Sequence, residues 1–283
     1  MATADARERF EPVHDAHAIE QLIASIQFEQ PHSDESMRAA LDAMAQFEPD
    51  LPGVQDIRGV GFQIGLSGVV PIPPSSNGTI RFLTDGRGAI IKELRVERQS
   101  LAFRTQAYTR WDSVWAEAQR YFSVLLPVLG AVNVASFALQ YIDKFIWVGD
   151  SSRCRPHTLI APASPYISPQ VLTSEDLWHC HSGQFRGVSG DVKRLEAIDV
   201  DCVDEVSDVR PVSQQTRRVV RIATAITDLF NQPGYERREL SSGAAVDAAA
   251  HSFPVLHSEL KRVFSEIISH EYAVRVGMIP NDA

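Results

Sequence analysis

Cysteine is scarce in this chain and cationic side chains are outnumbered. Among 283 residues the thiols are Cys154, Cys180 and Cys202, too few and too scattered for the disulfide framework of a small secreted domain, which predicts a reducing, cytoplasmic setting. Lys and Arg total 27 against 36 Asp and Glu, a net charge of −9. Nucleic-acid affinity rests largely on cations that displace counterions from phosphates, so a general DNA- or RNA-binding role is not expected. The short basic clusters at Arg153 to His157 and at Arg217, Arg218 and Arg221 do not change that balance. Long apolar runs are missing as well. The stretch from Tyr121 to Tyr141 is broken by Pro127, Gly130, Asn133, Ser136 and Gln140, so no transmembrane helix is expected. The polar opening from Met1 to Glu11 does not read as a signal peptide.

What is present suffices for a core. Hydrophobic residues make up 44% and charged residues 22%, close to the globular average and far from disordered composition. The length fits one compact α+β unit over 1–283, or two similar sub-lobes over 12–130 and 131–280.

Periodicity supplies the elements. Leu22, Ala24, Ile26 and Phe28 alternate with more polar neighbours, which predicts a strand. Ser33 or Asp34 is placed to cap a helix carrying Met37, Leu41 and Met44. The Pro- and Gly-rich segment from Pro49 to Gly78 predicts a long loop with one strand near Gly61 to Leu66. Its Gly59-Val60-Gly61 lacks the strand and helix flanks of a phosphate-binding turn. Thr79 to Val96 predicts a hairpin about Asp85-Gly86-Arg87-Gly88, and Leu101 and Phe103 extend the sheet. Val114, Trp115, Ala118, Tyr121, Phe122, Leu125 and Leu126 form the apolar stripe of a helix over Trp111 to Leu126, with Thr109 and Asp112 in capping-box register. A long strand over Val132 to Val148 presents Phe137, Leu139, Tyr141, Phe145 and Trp147 on one face that Asp143 interrupts. Further strands are expected at Trp178 to Phe185, Val192 to Val203 and Arg217 to Thr227. A last helix runs from Leu256 to Ile268. This order predicts an α+β fold, a mostly antiparallel sheet packed by two long amphipathic helices.

Several of these features occur together in a known order: Pro12 before the strand Ile19 to Phe28, Leu101 to Tyr108 leading through Trp111 into a helix, Leu139-Gln140-Tyr141-Ile142-Asp143, and His257 with Phe264 on the final helix. In this the chain resembles a sporadically distributed bacterial family of unknown function, the TIGR04255 family. The resemblance implies a cytoplasmic bacterial protein carried in accessory gene clusters, such as a component of a defence or toxin–antitoxin system, and it implies no chemistry. Gln140 and Asp143 stand where the family shows Arg and Asn, so the family's use of those two positions does not carry over.

Two sets of polar residues are candidates for function. His257 adjoins core-facing Leu256 and coincides with a position of the family; with Tyr141 and Asp143 it forms the candidate binding set. The other set is Cys154, His157, His179 and His181, whose ligand types suit zinc. Asp199 and Asp201 point to one side of a strand, as a divalent-cation site requires, although with Ile198, Val200 and Cys202 opposite them they equally suit a solvated outer face. No Gly-x-Ser-x-Gly elbow is present. The expectation is a binding or interaction protein without a cofactor or metal, acting through a protein partner or self-association, with a small-molecule ligand left open. A metal-dependent hydrolase or nuclease is the rival. The partner surface is expected on 49–78 or 151–168, whose apolar residues include Val69, Val70, Ile72, Leu159, Ile160 and Ile167.

Overall fold

A computed structural model describes residues 8–65, 68–206 and 216–279, with the side chains of 58–76 outside the description. The elements in order are β1 (Arg9–Pro12), β2 (Ile19–Phe28), α1 (Asp34–Met44), β3 (Gly53–Gly65), β4 (Gly68–Thr84), β5 (Ile90–Glu97), β6 (Ser100–Thr105), α2 (Trp111–Leu129), β7 (Val134–Val148), α3 (Pro156–Leu159), α4 (Pro169–Leu172), β8 (Trp178–Gly187), β9 (Lys193–Val206), β10 (Thr216–Leu229), α5 (Ala245–Ile267) and α6 (His270–Arg275). The strands form a ten-stranded sheet in the order β3-β4-β5-β6-β2-β7-β10-β9-β8, with β1 also on β7. Every pairing is antiparallel. The fold is therefore α+β. Outward from the central β2/β7 pair, β6-β5-β4 on one side matches β10-β9-β8 on the other. Each side is a strand, a connection, a three-strand meander and a long helix, and β3 is an addition to the first.

Alternation along β7 sets the layers. Phe137, Leu139, Tyr141, Asp143, Phe145 and Trp147 are buried, while Gln140, Ile142 and Lys144 between them are partly exposed. The buried side faces α5, which also lies on β10, and α2 packs between α1 and α5. Rings of Phe137, Phe253, Phe122 and Trp115 interlock at centroid distances of 4.7 to 6.3 Å, and this aromatic contact is the centre of the core. The opposite side of the sheet carries cross-strand ion pairs, Lys144 with Glu20 and Glu205 at 3.1 and 2.7 Å and Arg221 with Glu205 at 2.6 Å. Such pairs contribute little stability individually, but they favour one register over its neighbours.

Five expectations are corrected. The segment expected as a loop over Pro49 to Gly78 is mostly the β3/β4 hairpin. Its prolines misled because only Gly78 to Thr84 of β4 has β5 as a second neighbour; Pro71, Pro73 and Pro74 fall where β4 has a partner on one side alone, a position that tolerates a missing donor. Helix α2 starts at Trp111, but its N-cap is Arg110 with no side-chain bond, so the capping box is not formed. It also runs past Pro127 to Leu129, which is fully buried and extends the apolar stripe by one more position. Helix α5 begins at Ala245 and passes through Pro254. The proline removes one backbone donor, and burial of Ala249 and Phe253 on the core side offsets that loss. Finally, Leu159, Ile160 and Ile167 are buried in the core, so 151–168 does not present them as a docking surface. The side chains of Val69, Val70 and Ile72 lie outside the described residues.

Candidate binding pocket

The pocket originates in a bulge. Strands β1 and β2 run along the same edge of β7, and residues 13–18 between them oppose Lys144 alone. Val13 N–H donates to the Lys144 carbonyl at 3.0 Å, and Lys144 N–H donates to the Ala18 carbonyl at 2.8 Å. A register shift follows between Ile19 and Gln21. Bulges of this kind re-aim side chains beside functional sites. Here Ala16, His17 and Ala18 form one wall of a cavity of about 510 Å³.

The other walls come from elements the fold brings together. Tyr141 and Asp143 of β7 and Thr224 of β10 form the floor, Thr224 being the cross-strand neighbour of Tyr141. Tyr108 and Trp111 arrive from the start of α2, and Val276, Gly277 and Met278 from the segment after α6. His257, Leu260, Lys261 and Phe264 of α5 also line it; offsets of three, four and seven place them on one helical face. Trp111 stacks on His257 at 4.2 Å and on Trp115 at 5.6 Å. The Tyr141 hydroxyl lies 2.9 Å from His257 Nδ1.

Burial decides the charge state. Asp143 is 4% exposed, and among the described residues no side chain or backbone group hydrogen-bonds its carboxyl. Burial alone pushes it up to about 8, so it is largely protonated at neutral pH. Burial pushes Tyr108 up to about 12 and Tyr141 well above its ordinary value, so both phenols keep their protons. Burial, helped by the nearby Lys261 charge, holds His257 down at about 4. The neutral imidazole shares a hydrogen bond with the Tyr141 hydroxyl at Nδ1, and its tautomer sets which of the two donates. Among the described residues the buried Thr224 hydroxyl and His17 Nδ1 have no partner. The interior is thus polar and uncharged at neutral pH. Arg110, Asp112 and Lys261 are exposed at its mouth.

The candidates His257, Tyr141 and Asp143 all line this cavity. The four candidate zinc ligands are not brought together, and strand alternation is the reason. Cys154 is buried beside Cys202 on the helix side of the sheet, whereas His179 and His181 project from the other side and His157 is exposed. What the β8/β9 register does align is His179 with Asp201 and His181 with Asp199. Ligand atoms of His179, Asp199 and Asp201 come within 4.8 Å of one another, and His179 Nδ1 is 2.5 Å from Asp201 Oδ1. That bond raises the basicity of His179, which favours the protonated imidazolium over the neutral ring a metal needs. With Ile198, Val200 and Cys202 buried opposite, these aspartates lie on an outer, partly solvated face.

Thr224, Tyr108, Trp111 and His17 were not among the sequence candidates. For Thr224 a signal existed: it interrupts the apolar series Ile222, Ile226 on β10 as Asp143 interrupts that of β7. His17 had none, because a bulge leaves no periodicity. No protein-family model matches the chain, and no curated protein matches it.

Proposed function

We propose that the chain is a binding protein for a small organic molecule, held in the pocket between β7, β10, α2 and α5. One observation carries this reading: Asp143 is buried, lines the cavity, and among the described residues its carboxyl has no hydrogen-bond partner, while the enclosed hydroxyl of Thr224 on the adjacent strand has none either. Buried polar groups in native proteins are nearly always hydrogen-bonded, and a ligand that supplies the missing partners accounts for the exception. The cavity volume is in the range of small-molecule sites, and its aromatic walls provide apolar contact. Membership of the bacterial family the chain resembles, with the retained His257 at the site, is part of the same proposal.

The test is a thermal-shift screen of a chemically broad library against the full chain and against Ala16→Trp, which puts a large ring into the bulge wall. A true occupant stabilises the wild type by about 2.7 kcal/mol at a hundred times its Kd, and not the variant. No shift with any compound, or shifts that persist in Ala16→Trp, would remove the pocket reading.

A further inference from the structure

Resting on the pocket reading, we propose that the occupant carries a single protonated amine, seated at the floor against the Asp143 carboxylate. The geometry supplies an acceptor set and no counter-charge. Asp143 is 96% buried by its 4% exposure, lines the cavity, and has no hydrogen-bond partner among the described residues. An ammonium group has donors only, so it completes the ionised Asp143 carboxylate. The phenol rings of Tyr108 and Tyr141 line the same space, and aromatic walls attract a desolvated cation further.

The surrounding charges disfavour an anion and a polyamine. The groups facing the cavity are His17 from the bulge, Tyr108, Arg110 and Asp112 from the start of α2, Tyr141 from β7, and His257 and Lys261 from α5. Of these, the fixed cations Arg110 and Lys261 are exposed at the mouth, and Lys144, the neighbour of Asp143, is paired with Glu20 and Glu205 on the other face of the sheet. An anionic head at the floor would meet a buried acid and no cation. A second amine would have to pass or rest beside Arg110 and Lys261, with Asp112 alone to offset them, which favours a monoamine over a polyamine. The net charge of −9 assists the approach of a cation.

Binding then couples to a proton. The ammonium stabilises the ionised carboxylate, so Asp143 gives up its proton to solvent as the amine enters. Affinity for the amine therefore rises as pH rises toward and through 8, until the amine itself loses charge.

The experiment compares 2-phenylethylamine, its neutral counterpart 2-phenylethanol, and putrescine by titration calorimetry on the full chain from pH 6 to pH 9. Expected is a preference of about tenfold or more for the monoamine over the alcohol, the size of one charge-assisted hydrogen bond. Its affinity should grow with pH, it should release up to one proton per molecule, and Asp143→Asn should abolish the preference. Should that variant not fold, carbon NMR of the wild-type Asp143 carboxyl gives the same answer: its titration midpoint falls when the amine is bound. Alcohol binding as tight as the amine's and blocked by Ala16→Trp would overturn the amine and leave the pocket. Tighter binding of putrescine would overturn the monoamine assignment. Binding of none of the three at millimolar concentration would overturn the amine, and the library screen then decides separately on the pocket.

Discussion

Two aspartates are buried on the helix-covered face of one sheet and are treated in opposite ways. Asp228 of β10, 7% exposed, accepts from Arg194 Nε and Nη2 at 2.6 and 2.9 Å across the strand pair. The neighbouring Glu196 is fully buried, with Arg186 at 2.7 Å and Arg262 at 3.2 Å. Among the described residues Asp143 of β7 has neither arginine nor amide beside its carboxyl. The fold is therefore able to supply guanidinium partners to buried acids on this face, and does so where the acid serves packing. An acid left without one beside a cavity is a site prepared for something else. A bidentate guanidinium satisfies both oxygens of Asp228, whereas Asp143 has burial alone, which favours its protonated form.

The strongest way to break this comparison is to remove the partner that Asp228 has. Arg194→Ala leaves a buried uncompensated carboxylate and should cost about 3–5 kcal/mol by urea denaturation. The double variant Arg194→Met with Asp228→Leu replaces the pair by apolar volume and should recover most of that loss. Less than 1 kcal/mol lost in the single variant would mean that Asp228 does not depend on Arg194.

Asp143 should behave in the opposite sense, as a group whose burden appears with pH. Its folded value, about 8, lies above the ordinary carboxylate value, so the unfolded chain ionises first. Between about pH 4 and pH 8 the folded state holds a proton the unfolded state has released, and stability falls as pH rises; above 8 both are ionised and the loss stays constant. Each unit of difference is worth about 1.4 kcal/mol, so from pH 5 to pH 8 the wild type should lose about 2–4 kcal/mol more than Asp143→Asn. Urea melts of both proteins at the two pH values measure this. Parallel losses would show that Asp143 has a partner in solution.

The comparison also explains what the sequence could show. Strands β2, β7, β9 and β10 and the stripe of α2 follow from period alone, because burial on one face writes itself into alternate or every third and fourth residue. The interruptions Asp143 and Thr224 were visible for the same reason, as polar residues on apolar faces. Register was not. Whether Asp143 meets an arginine, as Asp228 does, depends on which strand lies alongside and with what offset, and single strands do not encode that. The bulge at 13–18 hid structure because it has no period, the prolines of β4 because a missing donor matters only where a second strand would use it, and Pro254 of α5 because core burial offsets the donor the helix loses there.

The smallest effect is the most specific. Thr224 lies on the same face of β10 as Asp228, four residues away, and its hydroxyl is buried with no partner. Threonine and valine have nearly the same volume, so Thr224→Val changes a hydroxyl to a methyl with little strain. A buried hydroxyl that bonds to protein would be missed, and the variant would lose about 1 kcal/mol. An unsatisfied one costs the folded state its desolvation, so its removal should instead stabilise the ligand-free protein by about 1 kcal/mol. Urea denaturation of the extensively dialysed protein should therefore show Thr224→Val at least as stable as wild type. A destabilised variant would mean that Thr224 is satisfied from within the fold, and the unpaired floor would then reduce to Asp143 alone.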